Sequence, residues 1–172
     1  MREVLNFNKD WLFWKNMSDI NIQNDGENIN LPHTWNAIDG ANGFDFYKGA
    51  CWYRKELVIA TLEQGNRVFI EFNGSNSITD VYVNGHHMGQ HRGGYSTFRF
   101  DITDVIEFGK PNVLAVKVDN TVVDDVYPQM ADFTFYGGMY RDVNVVITNQ
   151  VHFDLMDHGS QGIYIVQEDV NE

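Results

Sequence analysis

The sequence predicts an all-β protein, an antiparallel β-sandwich with a jelly-roll or immunoglobulin-like topology, and three observations support this. Apolar and polar residues alternate with period 2 in several short runs, as in strands that bury one face. Clusters of Gly, Asn and Pro separate these runs and are typical of turns. The segments whose apolar residues come nearest to helical spacing are poor candidates for α-helices. Several short strands between turns are the pattern of such sandwiches.

Each predicted strand is a short alternating or β-branched run. Residues 67–72 read RVFIEF and place Val68, Ile70 and Phe72 on one face. Asn84-Gly85 follows the next run and predicts a two-residue hairpin turn, because both positions accept a positive φ. The remaining runs are similar in length and composition, and they cover residues 80–83, 97–101, 113–118 and 143–148.

Two long irregular stretches, residues 24–50 and 119–140, interrupt the alternation. Ordered loops of this length in a compact domain are usually functional. Both stretches mix aromatic rings with Asp and Asn, a composition expected of sugar sites, since rings stack on sugar C–H faces while carboxylates and amides bind hydroxyls. The alternative is that the rings anchor the loops onto the sandwich. The residues of this character are Trp35, Phe44, Asp45, Tyr47, Tyr127, Asp132, Phe133 and Tyr136.

Composition and charge exclude several classes of protein. The chain has 172 residues, of which 14% are aromatic and 43% hydrophobic, and this excludes intrinsic disorder. Twelve Lys and Arg against 24 Asp and Glu give a net charge of −12, which repels nucleic acids and anionic membrane surfaces. No apolar run approaches the roughly 18 residues of a membrane span. The sequence does not indicate a compartment.

The residue types that usually carry catalysis or bind metals give little signal of their own. Cys51 lies in an apolar run and is interpreted as a buried, unreactive side chain. His86 and His87 belong to a local histidine cluster, but adjacent strand residues point to opposite faces, so we expect no native metal site there. Glu56 and Glu71 are predicted on the solvated face of a sheet rather than as a glycosidase acid pair.

Five stretches together resemble the N-terminal domain of glycoside hydrolase family 2, the family of β-galactosidases, β-glucuronidases and β-mannosidases. The resemblance covers about residues 1–150, and the combination of motifs is specific. The matching stretches are LPHTW (31–35), YKGACWYRK (47–55), VYVNGHHMGQHRGGYSTFRFDIT (81–103), NVLAVKVDN (112–120) and DFTFYGGMYRDV (132–143).

This resemblance implies a galactose-binding-domain-like jelly roll, the sugar-binding domain, over residues 1–150. It further implies that residues 151–172 are a linker and the truncated start of an immunoglobulin-like domain, and residues 162–166 are the one apolar run there that could form a strand. In the whole enzyme a TIM barrel carrying both catalytic glutamates would follow. The fragment would then contain no catalytic residue and be inactive alone, and the parent enzyme could be a homo-oligomer.

The resemblance also implies two substrate-binding residues. By its place in the DFTFYGGMYRDV stretch, Asp132 would be the acid that reaches the mouth of the barrel and binds sugar hydroxyls. Asp45, just ahead of the YKGACWYRK stretch, would be a second contact. No cofactor is expected in the fragment, whereas sodium held weakly at Asp132, or magnesium, would belong to the full enzyme. Arg141 and Asp142 are expected to support the Asp132 loop.

Among family members, the two long loops look most like those of bacterial β-galactosidases, which implies a β-galactoside as substrate. A domain of a β-glucuronidase or a β-mannosidase is the first alternative, because the residues that discriminate these sugars lie mainly in the barrel. A free-standing carbohydrate-binding module is the second, and it follows from the same aromatic loops. The third is a structural or oligomerisation domain whose loops pack against neighbours.

Overall fold

A computed structural model describes residues 2–16, 26–42, 45–127 and 131–169, and within these residues the chain is a β-sandwich without an α-helix. No helix there is long and apolar enough to cross a membrane. Two short 3-10 turns occupy Gly40–Asn42 and Thr61–Glu63. The ten strands are β1 (Arg2–Asn6), β2 (Trp11–Lys15), β3 (Glu27–Ile29), β4 (Ala50–Val58), β5 (Arg67–Phe72), β6 (Ile78–Val83), β7 (His86–Arg92), β8 (Phe98–Asp101), β9 (Pro111–Asp119) and β10 (Val143–Thr148).

The strands form two antiparallel sheets that pack face to face. The four-stranded sheet has the order β1-β10-β5-β8, and the six-stranded sheet has the order β3-β2-β4-β9-β6-β7. Because neighbours in the sheets are often distant in sequence, the connections cross between sheets as in a jelly roll. The predicted all-β jelly-roll sandwich is confirmed.

The core lies between the two sheets and consists of the inward residues of the alternating strands. Val68, Ile70 and Phe72 of β5 are completely buried there, as their alternation predicts. Asn84 and Gly85 adopt φ values of 49° and 82° and join β6 to β7 in the predicted hairpin. Cys51 is fully buried, and burial raises the pKa of its thiol to about 11. Its interpretation as an inert core residue is confirmed.

The outer face of the four-stranded sheet is also covered, which the alternation did not predict. Glu56 is exposed as expected, but the prediction that Glu71 faces solvent is wrong. Glu71 accepts a 2.6 Å hydrogen bond from Nε of Arg99, and the two side chains are only 8% and 1% exposed. Residues 151–160 lie over this pair, and Leu155 packs there against Phe69. When both faces of a sheet are buried, the alternation of residues in the sequence does not show which side chains face solvent.

The same segment contributes backbone acceptors to this buried ion pair. Nη1 of Arg99 donates to the carbonyl oxygens of Leu155 at 2.8 Å and Ser160 at 2.7 Å. Beyond it, residues 162–166 form no strand, and the side chains of Ile165 and Val166 are 92% and 81% exposed. The run therefore has no pairing partner among the described residues. The boundary at residue 150 and the immunoglobulin-like continuation stay predictions.

Candidate functional site

One end of the sandwich contains a cavity of about 490 Å³, lined by residues of four segments, 46–48, 76–77, 120–126 and 131–135. Small-molecule sites usually occupy about 300 to 1,000 Å³. The first and last of these segments belong to the two long irregular stretches of the sequence. The structure therefore brings together the two loops that were expected to carry function.

Two asparagines, the buried Asn36 and the partly buried Asn120, bind the backbone around this cavity. Asn36 is 1% exposed, and its Nδ2 donates to Asp39 at 2.7 Å and to the carbonyl oxygen of Tyr47 at 3.1 Å. Its Oδ1 accepts from the backbone N–H of Gly137 at 2.8 Å. Asn120, at the end of β9, donates to the same Tyr47 carbonyl at 3.1 Å. These amides, which the sequence analysis missed, tie the two loops and the sheet together.

Close packing beside the asparagines explains the glycine pair in the DFTFYGGMYRDV stretch. A Cβ atom on Gly137 would lie 2.4 Å from the Trp35 ring and 2.5 Å from Nδ2 of Asn120. Gly138 has a φ of 121°, and a Cβ there would lie 2.7 Å from the carbonyl oxygen of His33. The loop therefore approaches the core more closely here than a residue with a side chain would allow.

Asp132 lines the cavity with an exposed side chain, and no ion pair or hydrogen bond engages its carboxylate among the described residues. The neighbouring Phe133 is 57% exposed and packs against Phe135 with ring centroids 4.8 Å apart. Asp45 is exposed but does not itself line the cavity, whereas the adjacent Phe46 does. A free carboxylate beside exposed rings is suited to binding sugar hydroxyls.

The aromatic residues of the two loops divide into anchors and exposed rings. Trp35 is 6% exposed and packs on Phe13 with ring centroids 6.2 Å apart, and Tyr47 is half-buried against Trp35. These two therefore follow the alternative interpretation, that the rings hold the loops. Tyr127, Phe133 and Tyr136 are exposed. Phe44 lies outside the described residues.

Three polar side chains of the cavity lining, those of Asn76, Ser77 and Asn120, are already bound within the protein. Nδ2 of Asn76 donates to the carbonyl oxygen of Tyr136 at 3.0 Å, and Oγ of Ser77 donates to that of Asp119 at 3.1 Å. Among the described residues of the lining, only Lys48 and Asp132 carry a charge. The charged chemistry available to a ligand therefore comes from one cation and one anion.

Arg141 and Asp142 brace other segments than expected. Nη1 of Arg141 donates to the carbonyl oxygens of Tyr95 at 2.8 Å and Asn73 at 3.2 Å, and Asp142 accepts from Nδ2 of Asn8 at 2.7 Å. The pair thus supports the turns beside β5 and the N-terminal strands. The Asp132 loop is held instead by the asparagine network.

The described part of the chain contains no group of three or more His, Cys, Asp or Glu side chains that could hold a metal ion. Of the clustered histidines, Nε2 of His87 lies 3.0 Å from Oδ1 of Asp80, while His91 stacks on Phe98 with centroids 4.0 Å apart. Burial lowers the pKa of His91. These histidines have separate partners and do not converge on a common point.

Residues 18–149 match the family described as "Glycosyl hydrolases family 2, sugar binding domain". The chain is 41% identical over 99% of its length to a β-glucuronidase of Bacteroides fragilis, and 37% identical over 88% to a β-galactosidase of Thermoanaerobacter pseudethanolicus. It covers 24% and 22% of these two proteins. The chain thus spans about a quarter of the length of these relatives.

Solved structures show the same similarity to part of larger β-glucuronidases. A β-glucuronidase from Bacteroides uniformis superimposes with a TM-score of 0.86 at 35% identity, over 94% of this chain and 20% of that one. A calcium-binding mutant of Bacteroides uniformis β-glucuronidase 2 superimposes with a TM-score of 0.89 at 35% identity, over 100% of this chain and 21% of that one. Both the fold and the sequence are therefore shared with one part of these larger proteins.

Proposed function

Since the chain belongs to glycosyl hydrolase family 2 and corresponds to its sugar-binding domain, we propose that it lends the Asp132 loop to the active site of a β-glycosidase. In this proposal Asp132 binds hydroxyl groups of the terminal sugar, and Asp45 is a second contact. The enzyme hydrolyses terminal β-glycosidic bonds in carbohydrate metabolism. The two catalytic glutamates belong to a TIM barrel outside this chain.

The observation that carries the proposal is the Asp132 carboxylate, which lines the cavity and has no ion-pair or hydrogen-bond partner among the described residues. The cavity, of about 490 Å³, has room for a monosaccharide unit. The side-chain amides of Asn36 and Asn120 bind the backbone of Gly137 and Tyr47 beside it. These hydrogen bonds reduce the cost of ordering the two loops when a sugar binds.

The substrate we propose is a β-galactoside, with a β-glucuronide as the second candidate. Relatives of both names match the chain, and the β-glucuronidase of Bacteroides fragilis is 41% identical to it. A β-mannosidase domain is a further alternative within the family. The immunoglobulin-like and TIM-barrel domains of the same enzyme are the proposed partners, consistent with the share of the relatives that this chain covers.

Asp132 also suits a weakly bound sodium ion in the full enzyme. Hard cations prefer oxygen ligands, and the carboxylate oxygens of Asp132 are unpaired among the described residues. One carboxylate is too few ligands for a tight site, and magnesium would need a near-complete octahedron. The sugar, water and the absent domains would therefore supply the other ligands of either ion.

The proposal can be tested by titrating the ¹⁵N-labelled chain with methyl β-D-galactoside and methyl β-D-glucuronide in separate NMR experiments. We expect millimolar binding, with shifts confined to the residues that line the cavity. The Asp132→Asn variant should bind about tenfold more weakly, because a hydroxyl that donates to Oδ1 of the substituted side chain no longer has a charged acceptor. Asp104→Asn, at an exposed position outside the cavity, makes the same charge change and should leave the affinity unaltered.

Other results would favour the alternatives. Micromolar binding by the chain alone would indicate a free-standing carbohydrate-binding module. If Asp132→Asn leaves both sugar binding by the chain and turnover by the full enzyme unchanged, the domain is a structural or oligomerisation element instead.

A further inference from the structure

We infer that His33, acting through Tyr53, is a positioning residue that holds the end of the Asp132 loop, and that it does so only while its ring is neutral. His33 lies in the first long irregular stretch and Tyr53 in β4, so neither belongs to the loop itself. Their contacts with Gly138 and Met139 carry the inference. The effect on the loop stands without the proposed function, whereas the effect on sugar binding rests on it.

His33 and Tyr53 bind the backbone at residues 138–139. The backbone N–H of His33 donates to the carbonyl oxygen of Met139 at 2.9 Å. The backbone N–H of Met139 in turn donates to Oη of Tyr53. A Cβ atom on Gly138 would lie 2.7 Å from the carbonyl oxygen of His33 and 2.7 Å from Oη of Tyr53, so these atoms leave no space for a side chain. Both backbone groups of Met139 are therefore held by this pair.

The ring of His33 supplies the acceptor that keeps the Tyr53 hydroxyl in this role. Nδ1 of His33 lies 2.9 Å from Oη of Tyr53, and Tyr53 is completely buried. A phenol has one proton, so when it donates that proton to Nδ1 its oxygen can accept from the N–H of Met139. Tyr53 itself stays neutral, because burial raises its pKa well above the ordinary value of 10.

Protonation of His33 reverses the direction of this hydrogen bond. An imidazolium ring carries a proton on both nitrogens, so Nδ1 becomes a donor and the buried phenol proton loses its acceptor. Burial lowers the pKa of His33 below 6.5, and the negative charge of Glu27 in β3 opposes this by a smaller amount. Since Phe13 of β2, which also packs on the ring, does not titrate, Tyr53 and Glu27 are the titratable groups that face it among the described residues. The loop should therefore be held tightly at pH 7.5 and loosen as the pH falls below 6.5.

The experiment follows the His33 ring and the amide of Met139 together in the ¹⁵N-labelled chain between pH 7.5 and 5.0. We expect the hydrogen-exchange protection of that amide, corrected for the intrinsic rate, to fall about two- to tenfold, the factor that one hydrogen bond is worth. Its midpoint should match that of the His33 titration. His33→Asn puts an amide oxygen near the place of Nδ1 and takes up no proton, so it should keep the protection at pH 7.5 and lose its pH dependence. Tyr53→Phe, which removes only the hydroxyl, should lower the protection at pH 7.5 and leave it independent of pH.

His91→Asn is the matched control, because burial also lowers the pKa of His91, whose ring stacks on Phe98 rather than on the loop. It should leave the pH dependence at Met139 unaltered. Protection of Met139 that stays constant while His33 titrates, or a pH dependence that survives in His33→Asn, would overturn the role of His33.

Sugar binding measures what this contact does for the site. Because the ordered loop presents Asp132 to the ligand, the dissociation constant for methyl β-D-galactoside should rise about two- to tenfold from pH 7.5 to 5.0 and stay constant in His33→Asn. By linkage, the bound sugar should lower the pKa of His33 by the matching amount. Equal affinity at both pH values, with protection of Met139 falling, would overturn the positioning role. If the sugar shifts no resonance of the cavity even at pH 7.5, the proposed function fails, and the exchange of Met139 still decides whether His33 holds the loop.

Discussion

Two irregular segments are held against the sandwich by different chemistry. The loop that carries Asp132 is attached through neutral amides, with Gly137 bound to Asn36. Residues 151–160 are attached through a buried ion pair, in which Arg99 binds Glu71 and two carbonyl oxygens. Neutral cross-links leave the charges of the cavity to a ligand, whereas a buried ion pair uses its charges within the fold. The first arrangement suits a binding site and the second a structural joint.

Breaking the buried ion pair between Arg99 and Glu71 should give the largest loss of stability. Arg99→Met leaves Glu71 as a buried charge without its partner and removes the donor to Leu155 and Ser160, so we expect a loss of about 3 to 5 kcal/mol in the free energy of unfolding. Urea denaturation measures this loss. Arg92→Met, which breaks the exposed pair with Asp125, is the control and should cost at most about 1 kcal/mol. Equal losses would contradict a special role for the buried pair.

The amide network should give the next largest effect. Asn36→Ala leaves the buried N–H of Gly137 without its partner, while the Tyr47 carbonyl keeps its bond from Asn120, and an unsatisfied buried group costs about 1 to 3 kcal/mol. Urea denaturation should show this loss, and hydrogen exchange should show faster exchange at Gly137. Asn149→Ala makes the same substitution at an exposed position and should alter stability by no more than about 0.5 kcal/mol. An unaltered exchange rate at Gly137 in Asn36→Ala would show that other contacts hold the loop.

Acidification should lower the free energy of unfolding by a smaller amount. Burial lowers the pKa of both His33 and His91 below the ordinary value of 6.5, so the unfolded chain takes up protons first as the pH falls. The contribution of both histidines to stability is therefore complete above pH 6.5 and declines below it. Urea midpoints at pH 7.5 and 5.5 should show this decline, and His91→Phe should make it less steep. A midpoint that rises between pH 7.5 and 5.5 would contradict the burial of these rings.

Asp132→Asn should have the smallest effect on stability, because its carboxylate has no partner among the described residues. We expect a change of no more than about 0.5 kcal/mol in the free energy of unfolding. A small effect on stability together with a tenfold effect on sugar binding would show that Asp132 contacts the ligand and does not support the fold. A large loss of stability would instead assign Asp132 to the fold.

The two attachments also differ in how far the sequence predicted them. Strands β5, β6, β8, β9 and β10 and the Asn84-Gly85 hairpin follow from alternation and turn chemistry, because these are local properties, whereas β1 to β4 were not predicted. The burial of Glu71 depends on a segment far along the chain, residues 151–160, and no local pattern reports it. Asn36 and Asn120 each belong to or adjoin a motif, LPHTW and NVLAVKVDN, but a lone Asn usually indicates a turn, so their long-range hydrogen bonds were missed.

The site residues were predicted unevenly for the same reason. Asp132 was singled out by its place in a motif, and its exposed side chain lines the cavity. Lys48, which lines the same cavity, was not singled out, because an exposed lysine in a loop is ordinary in a sequence. Trp35 was assigned both a binding and an anchoring interpretation, and only packing decides between them.

Whether the cavity beside Asp132 holds a sugar can be decided by intermolecular nuclear Overhauser effects between methyl β-D-galactoside and the labelled chain. We predict contacts from sugar protons to the rings of Phe46 and Phe133 and to the Asp132 side chain, and their loss in Asp132→Asn. Contacts confined to the outer face of either sheet, or contacts that persist unchanged in Asp132→Asn, would contradict a sugar site at this cavity.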